Sequence, residues 1–79
     1  MAYYLSREVT TFINEQGDEV ELEIFHYPSH YEAIATICQD APPYKDHIAF
    51  GTDPRSRKTA IQLAINNLNF LSYKEKPLH

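Results

Sequence analysis

Glu19-Val20-Glu21-Leu22-Glu23-Ile24-Phe25 alternates residue by residue between carboxylates and apolar side chains. A period of two puts Val20, Leu22 and Ile24 on one face of an extended chain and three glutamates on the other, the pattern of a half-buried strand. Such a strand needs neighbours, and the flanking sequence supplies them. Pro28-Ser29-His30 reads as a turn, and Tyr31-Glu32-Ala33-Ile34-Ala35-Thr36-Ile37-Cys38 is apolar and rich in β-branched residues, which suits a second strand of a hairpin. A helix is the competing reading there, because Ser29 and Glu32 fit a capping box and Tyr31, Ile34, Ala35 and Cys38 fall at helical spacing. The β-branched content favours the strand.

On the N-terminal side, Val9-Thr10-Thr11-Phe12-Ile13 has strand composition, and Asn14 to Asp18 with Gly17 can close a hairpin. The alternative is a short helix capped by Ser6, with Leu5, Val9, Phe12 and Ile13 inward and Gly17 as its stop. On the C-terminal side, Asp40-Ala41-Pro42-Pro43 breaks the pattern, and a short strand, His47-Ile48-Ala49-Phe50, leads through Gly51 toward a helix. That helix is expected over Pro54–Ser72, with Asp53 as N-cap, Pro54 at the first position and Pro77 in the tail. Ala60, Ile61, Ala64, Ile65, Leu68 and Leu71 form its stripe, and Leu63 and Phe70 widen it to suit a sheet. The expected fold is therefore α+β. A three- or four-stranded antiparallel sheet carries one long C-terminal helix across it, in the order β-β-β-α or α-β-β-β-α.

Seventy-nine residues make one small domain with a 72–79 tail. A hydrophobic share of 43% is too high for a disordered chain, and no apolar run nears the about 18 residues of a membrane span. Met1-Ala2-Tyr3-Tyr4-Leu5 shows no signal-peptide pattern, and the lone Cys38 closes no intrachain disulfide, so a cytoplasmic setting is expected. Multidomain enzymes, membrane proteins and disulfide scaffolds are excluded. No enzymatic activity, cofactor or metal is expected: no phosphate loop, nucleophile elbow or HExxH occurs, and His26, His30, His47 and Cys38 lack zinc-ligand spacing.

The net charge of −4 is unevenly spread. Residues 1–44 hold eight acids against Arg7 alone, and residues 45–79 hold six bases against three acids. Arg55, Ser56, Arg57 and Lys58 gather at the helix start, where free amides already favour anions. Bases there oppose the helix dipole, which sets an anion-binding role beside the plain alternative of a solvated surface.

Ser56-Arg57-Lys58-Thr59-Ala60-Ile61-Gln62-Leu63-Ala64 resembles the S-K/R-K-x-A-x-x-x-A opening of the last helix in double-stranded-RNA-binding domains, and Pro28-Ser29-His30 resembles that family's P-x-H loop. The resemblance implies that Arg57 and Lys58 contact phosphates and that His30 reaches the minor groove of duplex RNA. In size and charge the chain is also similar to small phage-encoded inhibitors, anti-CRISPR proteins among them.

Glu19, Glu21 and Glu23 stand about 6.8 Å apart along a strand, close to the repeat of phosphates along a nucleic-acid backbone. Phe25, Tyr27 and Tyr31 are candidate aromatic anchors beside them. The function expected first is a small non-catalytic regulator or inhibitor that docks through this acidic strand on a protein, one belonging to a nucleic-acid-handling complex. Duplex-RNA binding through His30, Arg55, Ser56, Arg57 and Lys58 is the alternative. An exposed edge strand can also pair with a copy of itself, so a homodimer is open to the fold.

Overall fold

The computed structural model describes residues 4–38 and 46–73. Four strands, β1 (Ser6–Ile13), β2 (Glu19–His26), β3 (Tyr31–Cys38) and β4 (Asp46–Asp53), precede one helix, α1 (Arg57–Tyr73). The strands form an antiparallel meander in the order β1-β2-β3-β4, so each pairs with its neighbour in sequence. Residues 6–13 are thus a strand, and the helical alternative for that segment is not adopted. The same holds for residues 31–38. The expected break at Asp40–Pro43 and the tail beyond Tyr73 lie outside the described residues.

The β1–β2 turn follows from its residues. Asn14 N–H donates to the Asp18 carbonyl (2.9 Å), and Gly17 N–H returns to the Asn14 carbonyl (3.0 Å). Gly17 supplies the left-handed residue at φ 88°, and the Asn14 carboxamide oxygen accepts from the Gln16 and Asp18 amides. A three-residue loop ending in a left-handed glycine is a preferred hairpin connection. At β2–β3 the Tyr27 amide bonds the His30 carbonyl at 2.8 Å across Pro28-Ser29.

Alternation fixes which side becomes core. Val20, Leu22 and Ile24 of β2, Ala33, Ala35 and Ile37 of β3, and Ala49 of β4 are buried against Ala60, Ala64 and Leu68 of α1. Register sets Ala33 opposite Gly51 and Ala35 opposite Ala49, so β3 and β4 present a floor of small residues. The helix settles onto that floor closely enough that a Cβ on Gly51 would overlap the Ala60 carbonyl and the Ala64 amide. α1 packs mainly on β4 and β3, touches β2 and leaves β1 uncovered. Hollows of about 370 and 390 Å³ remain between α1 and the β1 side, one at each end.

Three expectations are corrected. Gly51 lies inside β4, which runs on to Asp53, because glycine serves the close helix approach and does not end the strand. The helix begins at Arg57, capped by Ser56: its hydroxyl accepts the Thr59 amide at 3.0 Å, whereas the Asp53 carboxylate is used earlier, on the Arg55 and Ser56 amides. Leu63, Phe70 and Leu71 are 40%, 67% and 44% exposed, because α1 lies over the edge strand and its far flank passes the end of the sheet. Ser56→Ala should therefore cost about 1 kcal/mol in urea unfolding, since it orphans a first-turn amide.

At its C-terminal end α1 is tied to both edges of the sheet. Tyr73 Oη donates to Asp18 Oδ2 (2.5 Å) and accepts from Asn14 Nδ2 (3.0 Å), while His47 Nδ1 and Ser72 Oγ share a bond of 2.9 Å. Desolvation, and then the bond to Asp18, raise the Tyr73 phenol above its ordinary value. Among the described residues no helix is long and apolar enough to cross a membrane.

Candidate docking face

One side of the sheet carries the core, and among the described residues the other carries no helix. Cross-strand pairing lays the open side out in rows: Arg7, Phe25, Glu32 and Thr52; then Val9, Glu23, Ile34 and Phe50; then Thr11, Glu21, Thr36 and Ile48. Glu19 extends the acidic column beside Ile13. The three glutamates therefore stand in one line on β2, where the alternation placed them.

They are not equivalent. Glu23 accepts from Arg7 Nε at 2.6 Å and is half-buried, whereas Glu19 and Glu21 are exposed and have no ion-pair partner among the described residues. Apolar side chains stand on both sides of the column, next to it on β1 and, on β4, one strand beyond Ile34 and Thr36. Val9 and Ile13 on β1 are 44% and 65% exposed, and Ile48 and Phe50 on β4 are 48% and 53% exposed. Alternation within β1 and β4 carries the signal for these four residues, but only the register shows that they share a face with the glutamates.

Phe25 closes the acidic column at the β2–β3 turn and belongs to an aromatic cluster. Tyr4 packs on it edge-on with centroids 5.0 Å apart, and Tyr27 stacks at 6.1 Å. Tyr27 also stacks on His30 at 4.7 Å, and the His30 ring bonds the Ser29 hydroxyl. Desolvation, followed by the Glu32 carboxylate, raises the Tyr27 phenol above its ordinary value. Tyr31 departs from this grouping. It points to the helix side and stacks on His26 at 4.3 Å, because the turn reverses the chain and the parity of β3 starts on the core side.

The basic residues form a second group at the same end of the sheet. Tyr31 pairs with Asp53, which brings the His30 turn beside the segment that carries Arg55, Ser56, Arg57 and Lys58. Two of the four have structural partners. Ser56 caps the helix, and the Arg57 guanidinium forms an ion pair with Glu8, linking α1 to β1. Arg55 and Lys58 are exposed.

Among the described residues no cluster of three or more His, Cys, Asp or Glu side chains is arranged to hold a metal ion. Comparison with known proteins gives no match to a family model, a curated protein or a solved structure.

Proposed function

We propose that this protein is a non-catalytic binding protein, a regulator or inhibitor that docks its open sheet face on a basic surface of a nucleic-acid-handling protein. The observation that supports this reading is the placement of Glu19 and Glu21. Both are exposed and unpaired among the described residues, Glu21 within and Glu19 at the end of the acidic column, on a face that carries no helix among those residues and is bordered by Val9, Ile13, Ile48 and Phe50. Charges set in an apolar surround give a complementary partner both a steered encounter and an area to desolvate. A partner that binds phosphates offers the opposite charge at a matching repeat, so occupation of its groove excludes nucleic acid. Anti-CRISPR-like inhibition is one such mode.

The experiment compares the wild type with a Glu19→Lys/Glu21→Lys variant, first in nuclease-treated affinity enrichment from a host lysate and then with the purified partner. The wild type is expected to retain a nucleic-acid-binding protein at physiological salt and to displace its nucleic acid. The variant should bind at least about tenfold more weakly, chiefly through slower association. Equal retention by both proteins would overturn the reading. In parallel, direct anisotropy titrations use a labelled RNA duplex. Salt-sensitive binding lost in Arg57→Glu/Lys58→Glu would put the duplex-RNA alternative in its place.

A further inference from the structure

The two edges of the sheet are finished differently. At β4 the helix lies over the strand, and Asn67 Nδ2 donates to the Phe50 carbonyl oxygen at 2.8 Å. β1 has neither protection. It is eight residues long, every residue except Phe12 is exposed, and α1 packs on the other three strands and reaches β1 through the Arg57–Glu8 ion pair. Among the described residues only β2 pairs with it.

The free backbone groups can be assigned. The Asn14 amide bonds the Asp18 carbonyl, so the two residues form a closely spaced pair, and alternation makes Phe12–Val20, Thr10–Leu22 and Glu8–Ile24 pairs of the same kind. The N–H and C=O groups of Arg7, Val9, Thr11 and Ile13 therefore point away from the sheet. The segment contains no proline and no lysine, two residues with which edges are commonly blunted.

We infer that the outer edge of β1 pairs antiparallel with β1 of a second copy about a two-fold axis at Thr10, joining two sheets into one of eight strands. In this register Val9 bonds Thr11 of the second copy and Arg7 bonds its Ile13, so all four outward residues are used on each side. No like charges stand directly opposite: Arg7 meets an isoleucine and Glu8 meets Phe12. Arg7 also brings a base to the end of the second copy's glutamate column, two strands from its Glu19. The two β2 glutamate columns then lie on one side, three strand spacings or about 14 Å apart. That exceeds the Debye length of about 8 Å at physiological salt, so their repulsion is largely screened.

The test reads mass and does not depend on the docking role proposed above. Sedimentation velocity of the wild type between about 1 µM and about 1 mM should show a rise from 9.2 kDa toward twice that mass. Thr11→Pro removes an N–H that bonds nothing among the described residues, and is expected to hold the chain at monomer mass with an unchanged far-UV spectrum. Thr10→Lys sets two ammonium groups face to face across the axis and should weaken association at least about tenfold at low salt, with partial recovery at high salt. It serves in place of the proline variant if that one misfolds. A wild type that stays monomeric throughout, as expected if only a foreign strand occupies this edge, overturns the inference. So does a Thr10→Lys chain that dimerises as well as the wild type.

Discussion

Gly51→Val is expected to leave the chain unfolded at 25 °C, with loss of the helical far-UV signal and no cooperative urea transition. The reason is the obstacle the new side chain meets. A Cβ at position 51 would overlap the Ala60 carbonyl and the Ala64 amide and would come within 2.8 Å of the Leu63 Cβ. Helix backbone cannot rotate aside as a side chain does, so the whole of α1 would have to lift. Lifting it opens the contact of Ala60 and Ala64 with Ala33, Ala35 and Ala49, all buried. Overpacking by a methyl group costs about 1–3 kcal/mol, and a domain of this size holds only about 3–5 kcal/mol in total. Gly51→Ala should accordingly lower the urea midpoint sharply, and valine should exceed what remains. A valine variant with the wild-type midpoint would show that helix and strand are not in contact there.

Leu68→Ala should be the second most damaging substitution, at about 3 kcal/mol. Leu68 is 1% exposed and, with Val20, is one of the two largest side chains that are fully buried. It lines the hollow shared with Phe12, Val20 and Ile65, so truncation enlarges a space that is already unfilled. Leu71→Ala, on the overhanging flank and 44% exposed, should cost less than about 1 kcal/mol. Urea titration of the pair separates them; equal losses would mean that the helix is rotated from the placement described.

The difference between those two leucines also shows where sequence reasoning stops. Periodicity located α1 and the stripe Ala60, Ala64 and Leu68, since spacing reports one face of a helix. It could not report that α1 sits over an edge strand, and so Leu63, Phe70 and Leu71 read as core. Asp53 and Ser56 have the same capping chemistry, so the helix start is not legible locally, and only the fold decides which carboxylate or hydroxyl meets the first turn. Gly51 reads as punctuation in a chain seen alone, and its use as a contact surface depends on a helix that begins six residues later.

The candidate face divides in the same way. The column of Glu19, Glu21 and Glu23 was legible because alternation is local. Tyr31 reads as a neighbour of the column, yet parity after a turn depends on the turn's geometry and puts it on the core side. Val9, Ile13, Ile48 and Phe50 were seen as strand formers, but their position around the glutamates is a property of register, which couples residues up to about forty positions apart along the sequence.

The position of α1 in chain order matters during synthesis. The five elements leave the ribosome from β1 onward, and the helix is the last of them. Until it emerges, the hairpins can pair but Ala33, Ala35, Ala49 and the β2 aliphatics have nothing over them, so the nascent sheet is wet on both sides. The charged column on the opposite side helps keep such a half-built sheet dispersed, a service that requires no binding.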